Sequence, residues 1–176
     1  MKEGYQVSME RVAARAGVAK QTIYNYFQSK DELFSAAASL TSSAISVTLD
    51  GRTDDIRAAL LGFAATFRDK ALSNEGLSMS RVLTGAMPRM PALALAYFVN
   101  GPAKTVNRLA EFLGRAMQEG RLRQDDPEVA AEMLLSMLAW FEHFRRLCGA
   151  DVPVVEEERR VMQIVDCFLR AFAPSP

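Results

Sequence analysis

Hydrophobic residues recur at helical spacing along almost the whole chain, and the strict alternation that is typical of β-strands is missing. In the first part of the chain the apolar stretches are short. They predict a helix over 9–15, with Ser8 as its N-cap, and a second helix over about 20–26. Gly17 lies between them and permits the positive φ of a tight turn. The pattern therefore predicts two short helices joined by a glycine turn.

Longer amphipathic helices are predicted after this pair. Ser29 and Glu32 have the spacing of a capping box and start a helix that ends near residue 49, before a predicted domain boundary at Asp50-Gly51. Further helices are predicted over about 54–72 and 78–85, from Pro91 to 119 with a break at Gly101-Pro102, from Asp126-Pro127 to 147, and over about 154–172. We therefore predict an all-α protein with a helix-turn-helix domain in residues 1–49 and a helical bundle in residues 50–176.

Composition and charge narrow the class of protein only in part. Hydrophobic residues make up 49% of the chain and charged residues 24%, which is enough to build a buried core. The formal net charge is zero, so whole-chain charge does not indicate a nucleic-acid-binding protein. There is no signal-peptide pattern and no apolar run of the roughly 20 residues needed to span a bilayer. With Cys148 and Cys167 as the two cysteines, we expect a soluble, cytoplasmic protein with no membrane partner.

Side chains that can read DNA concentrate on the second short helix. If Ile23 and Phe27 face inward, the outer face carries Lys20, Gln21, Thr22, Tyr24 and Asn25. The amides of Gln and Asn can pair with adenine, Lys can donate to guanine, and Thr can contact a base edge or a thymine methyl group. Ser8 and Lys30 each stand at a helix N-terminus, where the helix dipole favours a phosphate. These residues predict a DNA-reading surface.

The order of these motifs carries a resemblance to a known family. Residues 16–18 (AGV), 22–27 (TIYNYF) and 29–34 (SKDELF) together resemble the DNA-binding domain of the tetracycline-repressor (TetR/AcrR) family. The resemblance implies that the recognition helix presents Gln21, Thr22, Tyr24, Asn25 and Tyr26, and that Ser8 and Lys30 contact backbone phosphates. It also implies a small core made of Val12, Ala13, Ala16, Ile23 and Phe27. The implied partners are a double-stranded DNA operator and a second copy of the chain.

Two features depart from the family pattern. Ala19 stands where a serine N-cap is common, and the loss of such a cap costs about 1 kcal/mol. Family members also usually begin with a further amphipathic helix, whereas here little precedes Gly4-Tyr5. We therefore expect this first helix to be largely absent. That expectation leaves an alternative function open, in which a truncated paralogue dimerises or binds a ligand without binding DNA.

The segment 79–147 resembles one C-terminal subtype of the same family, through Arg81, the MPRMP run at 87–91, Tyr97 and Asp126-Pro127. The resemblance suggests a pocket for a small apolar ligand, because aromatic and methionine side chains make adaptable pocket walls. The candidate pocket residues are Phe63, Phe67, Met79, Leu83, Tyr97, Phe98, Trp140 and Phe144. Each of them is equally an ordinary core residue of a helix bundle, so both interpretations stay open.

The last two long helices carry apolar residues around much of their circumference, so they need cover on more than one side. A second copy can supply that cover in a four-helix interface, and the other helices of the same chain are the alternative. We expect the homodimer. The acidic and basic run at 156–160 is interpreted as a solvated first turn of the last helix.

No catalytic set, phosphate-binding loop or metal-ligand spacing is present in the sequence. His143, the only histidine, is expected to be partly buried and hydrogen-bonded rather than catalytic. We therefore predict no enzyme, no metal and no cofactor. The predicted function is that of a ligand-responsive repressor that binds DNA as a homodimer.

Overall fold

The computed structural model describes residues 8–49, 55–151 and 156–174, and these residues are helical with no strand among them. The predicted all-α class is therefore confirmed. Its helices are α1 (Met9–Ala16), α2 (Lys20–Tyr26), α3 (Lys30–Ser46), α4 (Ile56–Leu72), α5 (Asn74–Ala86), α6 (Pro91–Asn100), α7 (Pro102–Gln118), α8 (Pro127–Leu135), α9 (Phe141–Cys148) and α10 (Glu157–Ala171). A 3₁₀ turn, Val47–Leu49, extends α3. The predicted boundary at Asp50-Gly51 and the predicted helix start near 154 lie outside the described residues.

Local side-chain signals define the first three helices. The Ser8 hydroxyl accepts the backbone N–H of Arg11 at 3.3 Å and begins α1, which ends at Gly17 with φ of 68°. Ala19 precedes α2 without any side-chain cap, as predicted. Ser29 begins α3 by accepting the N–H of Glu32, while the Glu32 carboxylate accepts from Gln28, one residue earlier than a capping box requires.

The breaks predicted in the bundle are confirmed at Pro91, at Gly101-Pro102 and at Asp126-Pro127. Gly101 also lets two helices approach closely, because a Cβ atom there would lie 3.1 Å from the Cβ atom of Ala38 on α3. The predicted start of α5 at residue 78 is wrong. The helix begins at Asn74, because the Ser73 hydroxyl caps it by accepting the N–H of Gly76 at 3.0 Å.

The helix predicted from 127 to 147 is interrupted by a π turn, Ser136–Trp140, between α8 and α9. A π turn bonds each N–H to the carbonyl five residues back and so holds one residue more than an α turn. The π turn is bonded to an arginine of α4: the Leu138 carbonyl accepts a hydrogen bond from the Arg68 guanidinium. A side chain from another helix therefore satisfies a carbonyl of this turn.

The buried side chains fall into two clusters of very different size. The small cluster consists of Met9, Ala13 and Ile23, with partly buried side chains packed against it: Val12, Phe27 and Leu33. The large cluster runs through α3, α4, α7, α8 and α10 and includes Leu60, Phe63, Leu109, Leu113, Leu134, Val165 and Phe168. Ala16, which the family resemblance had implied for the small core, is exposed. It lies on the same side of α1 as Met9 and Ala13, but it is the last residue of the helix, where the chain turns away at Gly17.

Helix α3 joins the two clusters. Its second half contributes Ile45 to the large cluster, and Leu49 follows from the 3₁₀ turn. The buried hydroxyls of Ser42 on α3 and Thr105 on α7 lie 2.9 Å apart and hydrogen-bond each other. Helix α3 therefore connects the two short N-terminal helices directly to the centre of the bundle.

A buried charge cluster joins α4, α9 and α10. Arg68, with a side chain only 1% exposed, donates to Glu142 at 2.7 Å and to Glu157 at 3.0 Å. Glu142 also accepts from Arg146 and Arg160. Residues 156–159 are exposed, which confirms the interpretation of this run as a solvated first turn, and only Arg160 is partly covered. Glu157 and Arg160 nevertheless take part in this cluster.

Candidate DNA interface

The outer face of α2 is exposed and polar. Ile23 points inward with 8% of its surface exposed, while Lys20, Gln21, Thr22 and Asn25 are all exposed to solvent. Tyr24 is 38% and Tyr26 is 74% exposed. The predicted exposure of these side chains is confirmed. Because a buried aliphatic residue fixes the rotation of α2, its hydrogen-bonding groups must point away from the protein.

Contacts four residues apart order this face. The Gln21 amide donates to the Asn25 carbonyl oxygen at 3.1 Å, and the Lys20 ammonium lies 5.5 Å from the centre of the Tyr24 ring. Side chains at this spacing are neighbours on one side of a helix. They form two pairs, each of which restricts the rotamers of groups that can contact bases or phosphates.

Two further donors lie at helix starts. Ser8 is exposed at the N-cap of α1, and Lys30 is the first residue of α3. Burial lowers the pKa of Lys30, which is partly covered. The arrangement at both helix starts suits an anion because the positive end of the helix dipole lies there.

Sequence reasoning missed one residue on this surface, Glu10 of α1. Its carboxylate lies 2.6 Å from the Lys20 ammonium and joins α1 to α2. The pKa of Glu10 is lowered to about 2, first by the hydrogen bond from Lys20 and then by those from its own backbone and from Ser8. The only signal in the sequence was its position two residues after Ser8, in the first turn of α1.

The predicted pocket residues differ widely in exposure. Phe63 and Leu83 are buried, and the Phe63 ring stacks on Phe67 with centroids 6.1 Å apart. Met79 and Tyr97 are half-buried. The remaining three, Phe98, Trp140 and Phe144, are 54%, 68% and 54% exposed.

An open cleft of about 240 Å³ lies beside the charge cluster and is lined by Arg68, residues 136–142, Arg145 and Arg160. Among the predicted pocket residues only Trp140 belongs to this lining. Because four charged residues, Arg68, Glu142, Arg145 and Arg160, share its lining with apolar ones, the cleft differs in chemistry from the apolar pocket that the sequence suggested.

Trp140 and Phe144 belong instead to an apolar stripe on the outside of the bundle. This outer stripe consists of Val129, Met133, Met137, Trp140, Phe141 and Phe144, each between 41% and 68% exposed. Its members follow one another at steps of one to four residues through α8, the π turn and α9, so they share one side of the helix. Met162 of α10 is also exposed, at 41%. Six exposed large apolar side chains in one row are typical of a surface that binds another protein.

His143 is half-buried, and its Nδ1 atom lies 3.1 Å from the Ala71 carbonyl at the end of α4, as predicted. Within residues 8–49, 55–151 and 156–174, no three His, Cys, Asp or Glu side chains are grouped so that they could hold a metal ion. In the same parts of the chain, no helix combines the length and the apolar character required to cross a bilayer.

A polar helix, exposed on a glycine turn and carried by a larger helical bundle, defines the helix-turn-helix class of transcription regulators. Comparisons with known proteins agree. Residues 1–37 match the family described as bacterial regulatory proteins, tetR family, and residues 58–174 match the AefR-like transcriptional repressor, C-terminal domain. The chain therefore belongs to the TetR family of transcriptional regulators.

Similar proteins with known names or structures support this assignment. The HTH-type transcriptional repressor KstR of Mycolicibacterium smegmatis is 34% identical over 160 residues, which cover 86% of this chain and 74% of that protein. A TetR-family regulator structure from Mesorhizobium loti superposes with a TM-score of 0.82 at 25% identity, covering 98% of this chain and 90% of the other. The flavonoid-responsive regulator FrrA superposes with a TM-score of 0.75 at 27% identity, covering 99% and 91%.

Proposed function

We propose that this TetR-family protein is a ligand-responsive repressor that binds a double-stranded DNA operator as a homodimer. The observation that carries the proposal is the outer face of α2, where two side-chain amides, a lysine and a threonine are exposed together. These groups match the donors and acceptors of base edges in the major groove. Ser8 and Lys30 are the proposed phosphate contacts, because each lies at a helix start.

The experiment for DNA reading compares two exposed asparagines. A duplex is selected from a randomised pool with the purified protein, and binding is followed by fluorescence anisotropy. Asn25→Ala on α2 is expected to weaken binding by roughly 5- to 150-fold, the value of one bidentate base contact of about 1–3 kcal/mol. Asn107→Ala on α7 is the control, because Asn107 is equally exposed but lies in the bundle.

The proposal fails if no duplex is enriched and wild-type binding does not depend on sequence or salt. The alternative function, a module that dimerises or binds ligand without binding DNA, would then replace it. Equal losses of DNA affinity in Asn25→Ala and Asn107→Ala would show that DNA binding does not use the outer face of α2.

Dimerisation is proposed to use the outer stripe together with α10. A two-fold dimer would bury the stripe against its own copy and would present two α2 helices to successive major grooves. Phe144 on the stripe and Phe98 on α6 are both 54% exposed, so they form a matched pair. Phe144→Asp is expected to convert a dimer to a monomer in sedimentation velocity, whereas Phe98→Asp is not. A monomeric wild-type protein, or equal effects of both variants, would contradict this interface.

Ligand response is proposed for the bundle, where Phe63 and Phe67 of α4 stack on each other in the large cluster. The similarity to FrrA, a flavonoid-responsive regulator, supports a small apolar ligand. Such a ligand changes DNA affinity only if it binds two conformers differently, and couplings of about 5- to 150-fold are typical. The measurement is operator affinity with and without a flavonoid. An unchanged affinity at saturating flavonoid would exclude that ligand class.

A further inference from the structure

Glu10 is an acidic residue among side chains that are proposed to meet an acidic polymer. Its carboxylate lies 2.6 Å from the Lys20 ammonium, and both side chains are about half exposed, at 49% and 57%. The same carboxylate accepts a hydrogen bond from Ser8. Because the pKa of Glu10 is lowered to about 2, the group is charged throughout the neutral and mildly acidic range.

The partners of Glu10 are two of the groups that are proposed to bind DNA. Ser8 is the proposed phosphate contact at the start of α1, and Lys20 begins the outer face of α2. Ammonium and hydroxyl groups donate to a phosphate oxygen and to a carboxylate oxygen in the same way. In the free protein, the carboxylate therefore uses donors that a DNA phosphate requires.

We propose that Glu10 is a built-in competitor of DNA phosphate, so that DNA binds the start of α1 and α2 only by displacing this carboxylate from Lys20. The inference rests on the proposed DNA-binding function and adds a residue that sets its strength. Glu10 thereby lowers the affinity of the surface for any duplex, including random sequence.

The exposure of the pair makes this exchange possible. Ion pairs in contact with water are weak, because solvent screens the charges and ordering two long side chains costs entropy. Lys20 also lies 5.5 Å from the centre of the Tyr24 ring, so a small rotation can keep that contact while the ammonium turns to a phosphate. After displacement, the Glu10 carboxylate remains close to the bound DNA in the first turn of α1. Its negative charge offsets close to one positive charge of the interface.

The size of the effect follows from counterion release. Each phosphate contact changes the slope of log K against log salt by about −0.9. One additional effective contact is therefore worth about eightfold in affinity between 1 M and 0.1 M salt. Neutralising Glu10 should yield most of that gain.

The test uses the full chain with Glu10→Gln and measures fluorescence anisotropy on a random-sequence duplex and on the selected duplex over a sodium chloride series. We expect binding about 5- to 10-fold tighter near 0.1 M salt and a slope steeper by about one on both duplexes. Glu75→Gln is the matched control. It removes the same charge from the exposed first turn of another helix, α5, and should leave both values unchanged.

A second pair of variants separates competition from simple support of Lys20. Lys20→Met should cost more affinity in the Glu10→Gln background than in wild type, because wild-type Lys20 must first leave its carboxylate partner. If Glu10→Gln weakens binding or matches Glu75→Gln, the proposal is overturned while DNA binding itself stands. If neither wild type nor any variant binds either duplex, the proposed function fails and this inference fails with it.

Discussion

The two ends of this chain are stabilised in different ways. The helix-turn-helix is supported by a small cluster of three buried side chains and exposes its ion pair, Glu10 with Lys20, to water. The bundle has a core that spans five helices and contains a buried ion pair, Arg68 with Glu142, whose side chains are 1% and 6% exposed. An exposed pair can exchange partners at little cost, whereas a buried charge cannot lose its partner without a large penalty. In the helix-turn-helix, a displaceable pair therefore lies where a polyanion is proposed to bind.

The largest effect is expected from breaking the buried charge cluster. Arg68→Met removes the buried partner of Glu142 and the side-chain donor to the Leu138 carbonyl, which should lower the free energy of unfolding by about 3–5 kcal/mol. Urea unfolding measures this change. Arg57→Met is the control, because Arg57 and Asp166 form an exposed pair. Equal losses of unfolding free energy in the two variants would show that a buried ion pair contributes no more to stability than an exposed one.

The next effect tests the small core. Ile23→Ala and Ile45→Ala remove the same atoms from side chains that are 8% and 6% exposed, the first in the small cluster and the second in the large one. Each should cost about 2–5 kcal/mol locally. Because the small cluster has so few members, Ile23→Ala should abolish amide protection in α1 and α2 and leave the urea midpoint of the bundle unchanged. A lowered bundle midpoint in Ile23→Ala would mean that the two cores unfold together.

A smaller effect is expected from acid. Burial is the largest influence on the pKa of Glu142 and raises it, but hydrogen bonds from Arg68 and Arg146 outweigh burial, so the pKa is lowered below 4.5. A lowered folded-state pKa contributes stability that is present above the unfolded pKa and is lost as the pH falls through the folded value. The unfolding free energy should therefore decrease as the pH falls below about 4.5. In Glu142→Gln this part of the decrease should be missing.

The control for the acid series is Glu111→Gln, which removes a carboxylate from an exposed pair with Arg108 on α7. Urea unfolding from mildly to strongly acidic pH should give parallel curves for this control and the wild type. If the curve for Glu142→Gln also runs parallel to that of the wild type, Glu142 is excluded as the source of the acid-dependent loss of stability.

The smallest expected effect is a gain in the stability of α2. Ala19 has φ of −65° and ψ of 146°, the extended conformation of an N-cap, but no side chain that can accept a hydrogen bond. Ala19→Ser should stabilise α2 by about 1 kcal/mol, which slows its amide hydrogen exchange roughly fivefold. Ala14→Ser, at an exposed position inside α1, should give no gain. Equal exchange rates in the two variants would contradict a missing cap.

Features set by neighbouring residues were predictable from the sequence. The glycine turn, the caps at Ser8 and Ser29, and the breaks at Gly101-Pro102 and Asp126-Pro127 each depend on residues within four positions of one another. The outward direction of the α2 side chains followed from one inward isoleucine. Periodicity and capping therefore sufficed for the fold class and for the exposed face of α2.

Features set by distant residues were not predictable. Arg68 meets Glu142 and Glu157 from 74 and 89 positions away, and nothing local marks these residues as partners. The π turn is hydrogen-bonded to the same distant arginine, and periodicity alone suggested an unbroken α-helix. Glu10 was missed for a different reason. An exposed carboxylate in the first turn of a helix is common, and only its ion pair with Lys20 on another helix distinguishes this one.

The π turn over Ser136–Trp140 has a consequence for the history of the chain. The turn holds one residue beyond what an α-helix needs, and its Leu138 carbonyl is paired by an arginine from another helix. Deleting that surplus residue would restore a continuous α-helix without rotating the residues that follow, so Phe144 would keep its place in the row that begins at Val129 and the Leu138 carbonyl could be bonded within the helix. Related chains without an arginine at the position of Arg68 should therefore lack the surplus residue of the π turn. The arginine and the inserted residue should be present together or absent together.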